Sequence, residues 1–318
     1  MLINSLLLIG GLVLLIKGAG WLVNGGTALA KRYNVSDLAI GLTIVAFGTS
    51  APELVVNIMA SYQGHQDLVF GNVIGSNNFN LFLILGIAGI ITPLAVKSGT
   101  VWRQIPLSLL AAVLLYLLAN DHFTSGSNLL SRIDGLILLL MFCLFLFYVY
   151  EQMKTDPTKA ELQKKELSGI KTWIFIIAGL AGLIVGGRIV VNNAVEIARA
   201  LGLSEKVVGL TIVAAGTSLP ELATSVVAAA RKNIDIAVGN IIGSNIFNIF
   251  LILAASSLVR PIQYDPVFNR DLYLLAGGTL FLFITMFTGQ KRKLDRWEAV
   301  LLLVAYLVYM VVLVYREV

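Results

Sequence analysis

Two glutamates stand where an apolar chain tolerates few charges. Glu53 lies in the run IGLTIVAFGTSAPEL (40–54), and Glu221 in a near copy, VGLTIVAAGTSLPEL (208–222). An ionised carboxylate in mid-membrane costs at least a few kcal/mol on insertion scales. The residues around each one suggest what offsets that cost. Pro52 has no N–H for the carbonyl of Gly48, and its ring pushes that carbonyl aside; Pro220 does the same at Gly216. A freed carbonyl within a membrane must point at protein or line a cavity. Beside these carbonyls stand the hydroxyls of Thr49, Ser50, Thr217 and Ser218. Carboxylate, carbonyl and hydroxyl oxygens together form the hard shell that Ca²⁺ and Na⁺ prefer.

A second pair of motifs adds more oxygens: GNVIGSNNFN (71–80) and GNIIGSNIFN (239–248). Residues four apart share one helix face. That face carries Asn72, Ser76 and Asn80 in the first copy, and Asn240, Ser244 and Asn248 in the second. Gly71 and Gly75 would let another helix approach closely. The competing reading is a small-residue seam with interhelical hydrogen bonds. Asn77 and Asn245 lie off the stripe and are assigned to that structural role.

The elements that carry these residues are membrane helices. The chain has 318 residues, 58% hydrophobic and 13% charged, and its mean hydropathy is +0.87. A soluble domain of this length could not hide so much apolar surface, and apolar runs of roughly 17–25 residues are what a spanning helix needs. Ten such segments are expected, over 3–30, 37–61, 68–94, 103–119, 133–150, 172–199, 205–230, 235–259, 270–288 and 297–315. The net charge of +5 does not indicate nucleic acid, because the basic residues sit between apolar runs. Ala28-Leu29-Ala30 has the form of a leader cleavage site. No positive charge precedes the first apolar stretch, however, and that stretch recurs later, so it is read as part of the mature fold.

The chain repeats itself. Residues 35–94 align with 203–262 at a constant offset of 168 without a gap, and 28 of the 60 positions are identical. More weakly, Gly18 pairs with Gly186 and Asn24 with Asn192. The expected organisation is a first membrane repeat over 1–150, a charged linker over 151–171 and a second repeat over 172–318. The fold expected is all-α, with ten transmembrane helices as two five-helix repeats. Five is odd, so the second copy enters from the opposite side and the repeats are inverted, an architecture that secondary transporters favour. Glu53 and Glu221 then meet near the midplane, where two ionised carboxylates repel unless a proton or a bound cation compensates. With both termini outside, 15 basic residues fall in cytoplasmic loops and 6 outside. That bias supports ten spans in a cell inner (plasma) membrane with the linker cytoplasmic.

Other chemical groups receive plainer readings. Cys143 is a small apolar side chain in MFCLFLFY. Lys17 and Arg188 snorkel or pair. Asp37, Glu205 and Asp134 are expected as helix-start caps, and Asp67 and Asp235 as helix-end charges at the mouths of the third and eighth segments. Asn57, one turn beyond Glu53, faces the same way and corresponds to Ser225. An intramembrane hydrolase using Ser50 or Ser218 would need a base, and the only histidines, His65 and His122, lie near segment ends. A non-transporting scaffold would leave the matched carboxylates unexplained.

GTSAPE and GTSLPE, with GSNNFN and GSNIFN, resemble the two alpha repeats of the sodium/calcium exchanger family, and most of all its bacterial and archaeal members with short central linkers. The repeats cover about 120 residues (two of 60) and the layout nearly the whole chain. The resemblance implies a secondary active cation antiporter, with no enzyme activity, no cofactor and no obligate protein partner. Ca²⁺ and Na⁺ would be its transported ions. It implies that Glu53 and Glu221 are shared ligands of both, that Asn80 and Asn248 complete the central site, and that Ser50, Ser218, Ser76 and Ser244 serve flanking Na⁺ sites. Backbone oxygens around Ala46, Thr49, Ala214 and Thr217 would join them, and segments one and six would slide across the other eight. Some relatives carry Asp at the place of Asn248; Asn here leans toward potassium independence. The rival within the same architecture is a Ca²⁺/H⁺ antiporter whose glutamates take protons instead of Na⁺.

Overall fold

The computed structural model describes residues 1–121, 128–155, 168–201, 214–288 and 292–317. Most of the linker, His122, Glu205 and the stretch 205–213 of the seventh expected segment lie outside the described residues. The helices are α1 (Leu2–Arg32), α2 (Asp37–Thr49), α3 (Ala51–Gln63), α4 (Gln66–Ile91), α5 (Thr100–Ala119), α6 (Arg132–Thr155), α7 (Gly169–Ala200), α8 (Leu219–Ala230), α9 (Ile234–Val259), α10 (Pro266–Thr285) and α11 (Arg296–Glu317). Among the described residues eight are long and apolar enough to cross a membrane, and the bent pair α2 and α3 makes a ninth. The seventh expected segment is represented by α8, which is apolar but has 12 residues.

Burial sorts these helices into a centre and a rim. In α4 and α9, 72% and 94% of the most apolar window is buried, against 22–28% in α6, α10 and α11. The rim helices turn large side chains outward, as with Leu136, Leu140, Leu144 and Phe147 of α6. Their spacing follows the helical repeat, so they form one lipid-facing stripe. The polar residues are inside: Thr49, Ser50, Glu53, Asn57, Ser76, Asn77, Asn80 and their counterparts Ser218, Glu221, Ser225, Ser244, Asn245 and Asn248 are all buried. Apolar groups facing out and polar groups facing in is the arrangement a hydrocarbon solvent imposes.

α1 and α7 form a unit of their own. At 31 and 32 residues they are the longest helices among the described residues, each about 47 Å by helical rise, more than the ~30 Å hydrocarbon core of a bilayer requires. They pack backbone to backbone: a Cβ on Gly18 would lie 2.8 Å from the Leu183 nitrogen, and one on Gly179 2.6 Å from the Leu22 nitrogen. Only glycine permits such an approach.

The prolines act more strongly than a kink. α2 and α3 meet at 47°, and Ser50 between them leaves helical geometry (φ −84°, ψ 4°). Pro52 is the second residue of α3, where its missing N–H costs nothing. Pro220 takes the same place in α8 after Ser218 (φ −88°, ψ 7°). A further irregularity departs from the regular four-residue spacing. α4 widens into a π-helical turn over Phe79–Ile84, and α9 does so over Asn248–Leu253. Such wide turns recur at functional sites, and here they begin at Phe79, next to Asn80, and at Asn248.

Among the described residues the fold departs from a purely helical one in four two-residue strands, β1 (Leu94–Ala95), β2 (Leu129–Leu130), β3 (Ile262–Gln263) and β4 (Lys293–Leu294). β1 pairs with β4 and β2 with β3, both antiparallel. β3 is the repeat counterpart of β1, so each half lends its strand to the other. Such reciprocity is what a two-fold relation between the halves requires. The helix-start acids divide. Asp134 accepts from the Ser131 N–H at 2.7 Å and from its hydroxyl at 2.6 Å, a cap as expected. Asp37 is not the cap of α2. Ser36 caps it, accepting from the Ala39 N–H, and Asp37 accepts from Asn233 Nδ2 at 2.9 Å.

Candidate cation site

The helix breaks at Ser50 and Ser218 aim the two motifs at each other. Ser50 Oγ donates to Glu221 Oε1 at 2.8 Å, and Ser218 Oγ donates to Glu53 Oε1 at 3.2 Å. Each carboxylate is thus held by the hydroxyl of the opposite motif. The same serines sit 3.0 Å from Ser244 Oγ and Ser76 Oγ respectively. Thr49 Oγ1 donates to Asn240 Oδ1 at 3.0 Å, and Thr217 Oγ1 to Asn72 Oδ1 at 3.2 Å. These three contacts each recur at an offset of 168, so the relation between the halves extends to atoms here.

The asparagines complete the pattern. Asn80 Nδ2 donates to Asn245 Oδ1 at 3.0 Å, and Asn248 Nδ2 to Asn77 Oδ1 at 2.9 Å. Asn77 and Asn245 in turn donate to each other's backbone carbonyls at 3.3 and 3.4 Å. They are a brace between α4 and α9, in keeping with the structural role expected of them. The brace fixes the amides of Asn80 and Asn248 by their donor ends, which leaves their oxygens free.

On the two glutamates and the two braced asparagines, four oxygens are therefore left over. Glu53 Oε2, Glu221 Oε2, Asn80 Oδ1 and Asn248 Oδ1 are buried without a hydrogen-bond partner. Both glutamates are 1% exposed. A buried acceptor without a donor carries its full desolvation cost, and native proteins rarely keep one without a reason. Two carboxylate and two amide oxygens fit a hard cation as cargo.

Of the ten residues singled out in the sequence, Ser50, Glu221 and Ser244 form one hydrogen-bonded set and Ser218, Glu53 and Ser76 its counterpart, while Asn80 and Asn248 sit on the Asn77–Asn245 brace. The threonine hydroxyls donate to Asn240 and Asn72. A cavity of about 320 Å³ lies beside the centre and reaches Thr217. It is lined by Pro52 and Val55 of α3, by Ile184, Arg188, Val191 and Asn192 of α7, and by Thr217 and Pro220. Arg188 therefore lies on the wall of a cavity, a place its position in an apolar run did not disclose.

Fold and centre together define a class: a helical membrane transporter made of two related halves around a polar middle, and not an enzyme. The chain belongs to the sodium/calcium exchanger protein family, which it matches over residues 3–151 and 171–315. It is 38% identical to a putative antiporter, CaxA, of Alkalimonas amylolytica, over 97% of this chain and 98% of that one. It is 32% identical to the sodium/calcium exchanger MaX1 of Methanosarcina acetivorans, over 98% and 99% of the two chains. Among solved structures it superposes on the sodium-calcium exchanger NCX_Mj with a TM-score of 0.84 at 34% identity, covering 98% of this chain and 99% of that one.

Proposed function

We propose that this cation antiporter exchanges Na⁺ for Ca²⁺ by alternating access at a site built on Glu53 and Glu221. The observation that carries the reading is the set of four unpartnered buried oxygens on Glu53, Glu221, Asn80 and Asn248. Ser50, Ser218, Ser76 and Ser244 flank that set with neutral oxygens, as do Thr49 and Thr217 through their backbone. With both glutamates ionised the empty centre carries a charge of about −2, which one Ca²⁺ or two Na⁺ neutralise. A filled site crosses an apolar barrier at lower cost than an empty charged one. This charge rule couples the two ions and suppresses leak. That MaX1 and NCX_Mj are named sodium/calcium exchangers supports the choice of ions.

In this reading residues 1–150 and 172–318 are the two inverted repeats and 151–171 is a cytoplasmic linker. Both termini face outward across the plasma membrane. The cavity beside Arg188 then opens to the outside, because α7 runs from the linker toward Arg199. No protein partner takes part in the cycle.

The test is ⁴⁵Ca²⁺ uptake into proteoliposomes loaded with Na⁺, against vesicles loaded with choline, repeated with Glu53→Gln. Uptake that needs internal Na⁺ and is lost in the variant is expected. Uptake driven by a pH gradient and indifferent to Na⁺ would replace Na⁺ by H⁺ as the counter-ion. Full Na⁺-dependent uptake in the variant would remove the glutamates from the mechanism.

A further inference from the structure

The turns that follow the two ion motifs have the same backbone and different tips. In the turn after α3, the Gly64 N–H bonds the Ser61 carbonyl and the His65 N–H bonds the Ala60 carbonyl. In the turn after α8, Lys232 bonds Ala229 and Asn233 bonds Ala228, the same pattern at an offset of 168. Gly64 and Lys232 both have positive φ, 83° and 62°. The side chains on either side differ: Gln63 and His65 in one turn, Arg231 and Asn233 in the other.

That difference falls on the long helix pair. Arg231 Nη1 donates to the Gly20 carbonyl at 2.9 Å and to Asn24 Oδ1 at 2.7 Å. Asn233 Nδ2 donates to Thr27 Oγ1 at 2.9 Å, while its Oδ1 accepts from the Ile236 N–H and caps α9. Residues 20, 24 and 27 lie on one stripe of α1. The guanidinium seats where α1 has no side chain, since a Cβ on Gly20 would come 2.5 Å from Arg231 Nη2. The counterparts of Gly20, Asn24 and Thr27 on α7 are Arg188, Asn192 and Val195. Among the described residues no hydrogen bond joins them to Gln63 or His65.

The two sides also differ in closure. Val23 of α1 is 2% exposed, whereas its counterpart Val191 on α7 lines the cavity that reaches Thr217. The fastened helix is on the shut side and the unfastened one on the open side. If the two halves exchange these roles during transport, the contacts of Arg231 and Asn233 with α1 must break. The bonds from Arg231 to the Gly20 carbonyl and Asn24 cannot be reproduced as such on the other side, where Gln63 stands in the place of Arg231 and Arg188, a donor only, in the place of Gly20.

We propose that Arg231 is a positioning residue, a one-sided latch that holds α1 shut and biases the carrier toward the state in which the α7 side is open. This inference rests on the alternating-access reading above. Hydrogen bonds from a charged donor are the stronger kind, and a ligand or contact moves a two-state equilibrium only by its difference between the states. Removing this one therefore moves the two sides in opposite directions. The apparent KM for ion rises on the α7 side and falls on the α1 side.

The experiment reads both sides of the carrier. In a Cys143→Ser background, Val23→Cys and Val191→Cys are labelled separately with a hydrophilic maleimide in native membranes. Arg231→Gln is then added, since Gln63 occupies the same place in the matching turn and suits that backbone. The expected result is a Val23→Cys rate up and a Val191→Cys rate down, each by roughly tenfold, with Arg231→Lys intermediate. Asn24→Ala, which removes one acceptor and leaves the turn untouched, shifts both rates in the same directions by less. Two unchanged rates would overturn the latch. Two rates that rise together would mean a loosened fold and would overturn it as well. With Arg231 kept, switching between saturating Ca²⁺ and saturating Na⁺ serves as the separate check. If neither rate responds, the alternating-access reading itself fails, whatever Arg231 does.

Discussion

Asn77→Ala is the substitution that best probes how the centre is organised. Asn77 is fully buried and holds Asn248 by its amide, Nδ2 to Oδ1 at 2.9 Å. Without that acceptor the Asn248 Nδ2 is left buried and unpaired, which costs about 1–3 kcal/mol. The side chain can recover part of this loss by rotating its amide, and rotation turns a donor toward the place where the oxygen faced the ion. Changes to groups that orient a metal ligand typically weaken affinity by roughly 10–100-fold. The expected result is a loss of Ca²⁺ affinity in that range, read by equilibrium ⁴⁵Ca²⁺ binding to purified protein. The effect should also be coupled. In an Asn248→Ala background the oxygen is already gone, so adding Asn77→Ala should cost little more. A double-mutant cycle measures this directly. An affinity within about twofold of the parent, or two losses that simply add, would refute the idea that the brace aims the Asn248 oxygen.

Two further outcomes follow from the same geometry. Gly18→Val or Gly179→Val forces a side chain against the backbone of the facing helix at 2.6–2.8 Å. Thermal unfolding should show a loss of about 1–3 kcal/mol, and an unchanged melting temperature would mean that α1 and α7 are not tightly joined. Ca²⁺ at 100 times its dissociation constant should stabilise the parent by about 2.7 kcal/mol. Glu221→Gln should lose most of that stabilisation in a melt with and without Ca²⁺, and a full Ca²⁺ shift in the variant would place the ion elsewhere.

Much of the centre is legible in the amino-acid sequence. Glu53 and Glu221 announce themselves because an apolar run does not keep a carboxylate without compensation. The constant offset of 168 then ties each to the other's motif. Ser50 and Ser218 stand out by lying beside those residues, and each proves to hold the opposite carboxylate. Other features leave no local trace. Nothing in GTSAPE says that the Thr49 hydroxyl meets Asn240, since that partner is 191 residues away. Arg231 reads only as one more basic loop residue, because its contacts are with α1. The wide turns at Phe79–Ile84 and Asn248–Leu253 are a departure that a four-residue spacing cannot report.

The sequence by itself determined the solvent, the repeat and the chemistry. Hydropathy is a property of composition, internal similarity is a property of the string, and a carboxylate in an apolar run is costly wherever the helix is placed. Tertiary structure decided which atoms remain free. Asn80 and Asn245 have the same side chain, yet Asn245 has its oxygen bonded and Asn80 has its own left open, and only the crossing of α4 and α9 chooses between them. It also decided which side is shut. The two turns share one backbone, but Arg231 reaches a helix that has come within hydrogen-bonding distance, and distance between remote segments is what folding alone supplies.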